Sequence, residues 1–221
     1  MSQGCRNQRA RRYFPSILPA PALMPAPHAL LLDFDGLLAD YDHRRFLQVL
    51  ATAAGVESPQ LDAVLRGQSL ELAHARGALA GGALLEALND ALGSTLQAKD
   101  WLAARRAAST PRRDCIALLG RIPGHVRVAV LTNNGALTLP LIAQLLPDIQ
   151  VLGSAQLGMR KPDPAAYQAA CEMLGCPPSR TLFVDHLFRN VQGARAAGLL
   201  ADTAYHAQSL RRLLRRHHLL D

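Results

Sequence analysis

The stretch Ala29-Leu30-Leu31-Leu32-Asp33-Phe34-Asp35-Gly36 decides the fold of this chain. Its four apolar residues run without a break into an acid, which is typical of a buried parallel strand. Gly36 allows the chain to turn out of the sheet directly after the two acids. In open α/β sheets the ligand site lies at the carboxyl ends of the strands, so we predict that Asp33 and Asp35 belong to such a site.

Similar short apolar runs recur further along the chain and alternate with helical patterns. The later predicted strands cover residues 126–131, 149–152 and 181–184, and the predicted helices cover residues 115–119, 137–146, 164–174 and 191–197. Because strands alternate with helices, we predict an α/β fold with a doubly wound, Rossmann-like parallel sheet.

Residues 40–110 interrupt this alternation. They are rich in Ala and Leu, contain no convincing strand, and have the pattern of several amphipathic helices separated by glycines. We interpret this block as an all-helical cap inserted between the first and second strands of the core. The predicted domains are a core over residues 29–39 and 111–221 and a cap over residues 40–110.

The charge of the chain is unevenly distributed. The net charge is +7, but residues 1–23 contain four arginines and no Asp or Glu, so most of the excess belongs to this segment. With the prolines that follow, it is predicted to form a basic, disordered tail over residues 1–28. An arginine-rich transit peptide and a translation start at Met24 are the alternatives. Because the remaining sequence is nearly balanced, we predict no nucleic-acid partner.

Composition argues against several other classes of protein. With 221 residues, 49% of them hydrophobic, the chain can form one core domain and an insertion. No stretch approaches the roughly 18 consecutive apolar residues of a membrane span, so no membrane partner is predicted. The four cysteines are scattered, and Cys171 and Cys176 lack a matching ligand pair for zinc. Reduced thiols fit a cytoplasmic protein, either a monomer or a homodimer.

Further polar residues lie where the predicted sheet edge would need them. They are Thr132, Asn133 and Asn134 after the strand at 126–131, Lys161 on a loop, and Asp185 with His186 after the strand at 181–184. Each motif alone has an ordinary explanation as a turn, a loop start or a helix entry. Their order, each near its own strand edge, favours a single site.

These residue types suit phosphoryl transfer. A strand-end carboxylate can attack phosphorus, and a second acid two residues later can protonate the leaving oxygen and then activate water. A threonine hydroxyl, backbone N–H groups and a lysine suit phosphate oxygens. A late acidic residue helps to hold a divalent cation. The pattern therefore predicts a site that handles a phosphate group.

Four stretches resemble the signature motifs of the haloacid dehalogenase superfamily. They are Asp33-Phe34-Asp35-Gly36, Leu131-Thr132-Asn133-Asn134, Lys161-Pro162-Asp163-Pro164 and Phe183-Val184-Asp185. The resemblance implies that Asp33 is the nucleophile and Asp35 the general acid/base. It implies phosphate binding by Thr132, Asn133 and Lys161. It also implies a Mg²⁺ site formed by Asp33, the backbone carbonyl of Asp35, and Asp185 with His186.

A finer resemblance concerns the substrate. Arg76-Gly77-Ala78-Leu79 in the cap, and Asn190-Val191 with Gly198-Leu199, are similar to segments of α-glucose-1-phosphate phosphatases and of the phosphatase domain of soluble epoxide hydrolase. True haloacid dehalogenases lack an acid two residues after the nucleophile, so Asp35 argues against dehalogenase activity. The resemblance implies a Mg²⁺-dependent phosphatase for a small phosphorylated metabolite.

The fourth motif departs from the pattern of these phosphatases, which usually carry two adjacent acids where this chain has Asp185-His186. Imidazole is a poor ligand for Mg²⁺ and a better one for Mn²⁺, Co²⁺ or Zn²⁺. Three outcomes follow: Asp185 replaces the missing ligand, the metal preference shifts towards Mn²⁺ or Co²⁺, or catalysis is lost. The alternative function is therefore a catalytically weak or inactive protein that binds a phosphate ligand.

Two further polar stretches have less specific interpretations. Residues 41–45, Tyr-Asp-His-Arg-Arg, line the substrate entrance or form a solvated first turn of a helix. The arginines between residues 211 and 216 are most simply the charged face and carboxyl end of the last helix.

Overall fold

The computed structural model of this protein describes residues 26–221, so most of the predicted tail lies outside the described residues. The strands are β1 (Ala29–Leu32), β2 (Ala39–Tyr41), β3 (Ser109–Pro111), β4 (Arg127–Thr132), β5 (Gln150–Gly153), β6 (Thr181–Asp185) and β7 (Leu200–Thr203). The helices are α1 (His43–Ala54), α2 (Ser58–Gly67), α3 (Leu70–Ala75), α4 (Gly81–Leu92), α5 (Ala98–Ala108), α6 (Arg113–Leu119), α7 (Leu139–Leu145), α8 (Ser154–Leu157), α9 (Pro164–Leu174), α10 (Phe188–Ala196) and α11 (Ala207–Arg216). No helix in this part of the chain has the length and apolar character needed to cross a membrane.

A parallel sheet in the order β5-β4-β1-β6-β7 forms the centre of the described fold. The middle strand β1 pairs with β4 and β6, so that Leu32 lies level with Val130 and Val184. The carboxyl end of β1 is therefore flanked on both sides by the ends of its neighbours. This arrangement confirms the predicted parallel sheet and brings three polar strand ends together.

Helices cover both faces of the sheet, which explains why β1 is apolar at every position. Leu30 and Leu32 pack into one hydrophobic core with α6 and α11. Ala29 and Leu31 pack into a second core on the opposite face, with α9 and α10. Alternate side chains of β1 thus pack into the two cores on opposite faces of the sheet. The predicted doubly wound core is confirmed.

Helices α1–α5 lie between β2 and β3 in the chain and form an all-helical insertion, residues 43–108. Their apolar faces share a hydrophobic core of their own. Within it, the rings of Phe46 and Trp101 meet edge to face with centroids 5.0 Å apart. Gly55 and Gly93, both left-handed, end α1 and α4, as the glycine pattern predicted.

One expectation about this block was wrong. Residues 40–110 were predicted to contain no strand, yet β2 and β3 pair antiparallel at the two ends of the insertion, with Asp40 opposite Thr110. Each strand has only three residues, and their sequences, Ala-Asp-Tyr and Ser-Thr-Pro, lack the alternating apolar pattern of longer strands. The pair joins the entry and exit of the insertion beside the end of β1.

Candidate active site

The seven residues predicted for the site, together with Asn134, lie at the carboxyl ends of β1, β4 and β6 and form two networks of contacts. One network centres on Lys161 and contains Asp33, Asn133, Asp185 and His186. The other joins Asn134 to Asp35 and Thr132. Lys161 reaches this edge from the loop between α8 and α9. The structure thus brings all seven residues to one edge of the sheet, and their roles there stay predictions; the contacts between them were not predicted from the sequence.

Lys161 is the central cation of the group. Its side chain is 1% exposed, and its Nζ donates to Asp33 Oδ1 at 2.7 Å and to Asp185 Oδ2 at 2.9 Å. Burial lowers the pKa of Lys161, but the two carboxylates outweigh it and hold the pKa above its ordinary value. The ammonium group is therefore charged across the physiological pH range.

Asn133 fixes the loop that carries this lysine. Its Nδ2 donates to the backbone oxygen of Lys161, and its Oδ1 accepts from the backbone N–H of Lys161, each at 2.9 Å. Both ends of the amide thus bind the main chain of Lys161. The backbone N–H of Asn133 is left for the phosphate binding predicted from the sequence.

The two acids bound by Lys161 have different environments. Burial raises the pKa of Asp33 above its ordinary value, although Lys161 opposes this shift. Burial also raises the pKa of Asp185, but Lys161, His186 and the N–H of Leu187 together hold it below the usual range. Asp185 also accepts from Asn190 Nδ2 at 2.8 Å. Asp185 is thus a fixed anion, whereas Asp33 has fewer hydrogen bonds and lies nearer the surface.

Asp35 is bound by a residue that the sequence did not single out. Arg105, from α5 of the insertion, donates through Nη2 to both Asp35 oxygens at 3.1 Å. The guanidinium of Arg105 is nearly buried and lies 4.0 Å from the centroid of the Tyr41 ring. Asn134 donates to Asp35 Oδ2 at 2.8 Å and to Thr132 Oγ1 at 2.7 Å. The insertion therefore contacts the site directly, through an ion pair on the second acid.

The Arg105–Asp35 pair is expected to contribute measurably to stability. Arg105→Leu should lower the free energy of unfolding by about 1–3 kcal/mol, since hydrogen bonds to a charged partner are lost. Arg106→Leu on the same helix is the matched control, because Arg106 bonds only Gln144 at an exposed position. Urea unfolding of both variants, and of each combined with Asp35→Asn, measures the coupling. Additive effects of Arg105→Leu and Asp35→Asn would show that the pair contributes nothing.

His186 contacts the oxygens of the two acids that Lys161 does not bind. Its Nδ1 is 3.3 Å from Asp33 Oδ2 and 3.4 Å from Asp185 Oδ1. Its ring packs on Gly36, where an added Cβ would lie 2.5 Å from the imidazole, and Gly36 also has a positive φ of 85°. The interactions with Asp185 and Asp33 raise the pKa of His186 to about 9.

Asp33, Asp185 and His186 are also the residues that could hold a metal ion. One ligand atom from each lies within 4.8 Å of the other two. In an octahedral site with bonds of about 2.1 Å, adjacent donors are about 3 Å apart, close to the contacts that His186 Nδ1 makes. Nδ1 is buried and lacks a well-oriented hydrogen-bond partner among the described residues. The donor set therefore fits a divalent cation that accepts two carboxylates and one imidazole nitrogen.

The polar stretch at residues 41–45 is partly explained by helix capping. Asp42 accepts a hydrogen bond from the backbone N–H of Arg45 and caps α1. The side chains of Arg44 and Arg45 are exposed. The helix-turn interpretation accounts for these contacts, and a role at the substrate entrance stays a prediction.

Comparison with known proteins now adds to this geometry. A family model described as haloacid dehalogenase-like hydrolase matches residues 27–198. That range includes β1 to α10 and every residue of the candidate site.

Curated relatives match a smaller part of the chain. A phosphatase of Mycobacterium tuberculosis is 45% identical over 82 residues, which is 34% of this chain and 37% of the relative. Phosphoglycolate phosphatase of Pseudomonas syringae pv. syringae is 33% identical over 81 residues, covering 34% of this chain and 29% of the relative. The chain thus matches only about a third of the length of these relatives.

Solved structures match over most of both chains. A predicted HAD-like family hydrolase from Porphyromonas gingivalis has a TM-score of 0.71 at 19% identity, covering 87% of this chain and 98% of the other. A HAD family enzyme from Bacteroides thetaiotaomicron, in complex with magnesium and inorganic phosphate, has a TM-score of 0.69 at 19% identity and covers 86% of this chain and 100% of the other. At this identity the likeness shows the fold.

Proposed function

This chain belongs to the haloacid dehalogenase-like hydrolases, and on that premise we propose that it hydrolyses phosphate monoesters of a small metabolite through an aspartyl-phosphate intermediate. The observation that carries the proposal is the position of Asp33 at the end of the central strand, ion-paired to the buried Lys161. Asp35 lies two residues later and supplies the second carboxyl group that ester cleavage needs. The two curated phosphatases that match part of the chain support the same reaction class.

In the proposed first step, a carboxylate oxygen of Asp33 attacks phosphorus and the bond to the ester oxygen breaks. Asp35 gives a proton to that leaving oxygen, so an alcohol departs. Lys161 holds Asp33 in position and, with the Thr132 hydroxyl and the Asn133 N–H, faces the oxygens of the phosphoryl group.

In the second step, water attacks the phosphorus of the aspartyl phosphate while Asp35 accepts its proton. The acyl phosphate bond breaks and releases inorganic phosphate and the Asp33 carboxylate. The Arg105 guanidinium binds both Asp35 oxygens and stabilises the carboxylate, which opposes the protonated form that the first step needs. We infer that Arg105 moves off Asp35 when substrate enters, and that the insertion over residues 40–110 acts as a cap domain.

A divalent cation would be held by Asp33, Asp185 and His186, with the backbone carbonyl of Asp35 as a further oxygen donor. When bound, it supplies positive charge that offsets the negative charge of the phosphoryl oxygens. The magnesium in the Bacteroides thetaiotaomicron enzyme supports Mg²⁺ as the ordinary ion of this fold. The imidazole of His186 favours Mn²⁺ or Co²⁺ in this chain, since these ions accept nitrogen more readily.

The role of His186 as a ligand predicts a pH dependence of metal binding. Below a pKa of about 9, a proton on His186 competes with the cation. The affinity for Mn²⁺ should therefore rise between pH 6.5 and 8.5, by up to roughly tenfold per pH unit, and level off above pH 9. Titration calorimetry with Mn²⁺ at three pH values measures this without reference to activity.

His186→Asp is the variant that tests this role of the imidazole. Restoring a carboxylate should raise Mg²⁺ affinity and Mg²⁺-dependent turnover by about tenfold or more and flatten the pH dependence. His206→Asp, at the exposed start of α11, is the control. If His186→Asp changes neither affinity nor pH dependence, Asp185 already completes the site and His186 is no ligand.

A second candidate function follows from the same histidine. His186 Nδ1 lies between the two carboxylate oxygens that a cation would share, so an imidazolium ion can neutralise them without metal. Such a protein would bind phosphate ligands without turning them over. A screen of sugar, nucleotide and small organic phosphates, phosphoglycolate included, with Mg²⁺, Mn²⁺ and Co²⁺ separates the two functions. Phosphate release that Asp33→Asn abolishes supports the enzyme, whereas binding without release supports the second candidate.

A further inference from the structure

We propose that the cleft lined by Arg76, Arg160 and Arg189, which borders the Asp33 site, is a second anion-binding site and that it binds a multiply charged oxyanion such as a second phosphate group. The candidate active site does not use any of these arginines. The inference goes beyond the proposed hydrolysis and does not depend on it.

The cleft has a volume of about 590 Å³ and is predominantly polar. Its arginines come from three separate parts of the fold: Arg76 directly after α3 of the insertion, Arg160 from the loop before Lys161, and Arg189 from the first turn of α10. Ligand sites in proteins have volumes of about 300–1,000 Å³. The cleft therefore has room for a phosphate group and an attached organic part.

The positive charge of the cleft is not neutralised by the surrounding protein. Among residues 26–221, none of the three guanidinium groups makes an ion pair or side-chain hydrogen bond. Arg160 Nε is buried without a partner. Burial, and then the charges of Arg76 and Arg189, lower the pKa of Arg160. A buried donor without an acceptor costs free energy, and an oxyanion would remove that cost.

The acids near the cleft do not neutralise its positive charge. Asp163 lines it, but its carboxylate caps α9 by accepting from the backbone N–H of Ala165. Glu71 opposes the lowering of the Arg160 pKa, but its effect is smaller than those of burial and of the two neighbouring arginines. Three cations against these two acids leave the cleft with excess positive charge.

Close backbone contacts fix the main chain near the cleft. Gly77, next to Arg76, lies so near α8 that an added Cβ would be 2.4 Å from the backbone oxygen of Ala155. Gly193 of α10 lies so near the Lys161 loop that an added Cβ would be 2.0 Å from the backbone oxygen of Pro162. The insertion thus meets α8, and the Lys161 loop meets α10, without intervening side chains. These contacts fix the main chain near the arginines, while the side chains of Arg76 and Arg189 are exposed.

The chemistry of the lining indicates an oxyanion with more than one charge. Guanidinium groups match phosphate and carboxylate oxygens with paired N–H donors, and three of them can surround one tetrahedral group. The anion can come from two sources: a distal phosphate or carboxylate of the substrate, since Asn133 and Lys161 also border the cleft, or a separate ligand. Both sources require the same arginines.

Titration calorimetry with inorganic pyrophosphate, in metal-free buffer with a chelator, tests the site. Because the Asp33 site could also bind a phosphate group without metal, the difference between the two triple variants below, rather than the total binding, reports the cleft. The triple variant Arg76→Gln, Arg160→Gln, Arg189→Gln should lose affinity by roughly tenfold or more. The control triple variant Arg121→Gln, Arg211→Gln, Arg212→Gln has the same net charge and removes only exposed arginines. It should keep the wild-type affinity within about twofold.

A failure of this site is distinguishable from a failure of the proposed hydrolysis, because the measurement needs no turnover. No binding by the wild-type protein, or equal losses in both triple variants, would overturn the proposal. Kinetics with butane-1,4-diol mono- and bisphosphate then separate the two sources. If the cleft variant raises the KM of the bisphosphate more than that of the monophosphate, relative to the wild type, the anion that binds in the cleft is part of the substrate. If the ratio of the two KM values is unchanged but pyrophosphate binding is lost, the anion is a separate ligand.

Discussion

Asp33→Asn is expected to reduce the turnover of any phosphate monoester substrate by about 10⁴-fold or more, the largest effect of any single substitution in this chain. An amide oxygen is a far weaker nucleophile than a carboxylate, so the aspartyl phosphate cannot form. The variant should still fold. Asparagine has nearly the same shape, and its Oδ1 can still accept the Lys161 hydrogen bond that now spans 2.7 Å.

Phosphate release under substrate saturation measures this effect, and circular dichroism checks the fold. Asp148→Asn is the matched control, because Asp148 is exposed and its side chain makes no hydrogen bond or ion pair within the described residues. Its activity should equal that of the wild type. Near wild-type turnover in purified, folded Asp33→Asn would contradict covalent catalysis by this residue.

The central sheet could be predicted because its inner strands are buried on both faces. β1 and β6 are fully buried, so they appear in the sequence as continuous apolar runs that end in a polar residue. The edge strand β7, Leu-Ala-Asp-Thr, was missed because each of its residues is only half-buried. The other edge strand, β5, was predicted because part of it is buried and its sequence contains an apolar run.

The candidate site could be predicted where its residues follow strands or precede a helix within a short motif. Asp33, Thr132 and Asp185 each end a strand or directly follow one, and strand order then brings them together. Arg105 could not be predicted, since it meets Asp35 across 70 residues of sequence and depends on how the insertion packs. The burial of an arginine in the last turn of α5 was the only possible signal, and sequence alone does not show burial.

The three-arginine cleft could not be predicted either, because it also depends on the packing of distant segments. Arg76 belongs to the stretch singled out for its resemblance to other phosphatases, but that resemblance did not indicate where its side chain lies. Arg160 lies beyond the second motif and directly before the third, and Arg189 lies beyond the fourth. Contacts between segments distant in sequence depend on tertiary packing, whereas the motifs depend mainly on local structure.

Lys161→Met is expected to lower the free energy of unfolding at pH 7.5 by about 3–5 kcal/mol. The substitution leaves the carboxylates of Asp33 and Asp185 buried beside each other without the Lys161 ammonium group, so only the partly exposed imidazole of His186 offsets their repulsion. In the wild type, the lowered pKa of Asp185 reflects stabilisation that is present at neutral pH and lost only as the pH falls through that pKa. The variant should show the opposite trend, gaining stability relative to the wild type between pH 7.5 and 5 as an acid takes up a proton.

Urea unfolding with a chelator, at both pH values, measures this difference without rescue by a bound cation. Lys99→Met is the matched control, since Lys99 is the other lysine of the chain and is exposed on α5. It should unfold like the wild type at both pH values. Equal stabilities of the two variants at pH 7.5 would show that Lys161 is not needed to neutralise the two acids. A loss that does not shrink at pH 5 would indicate a packing defect, because only the electrostatic part responds to protonation.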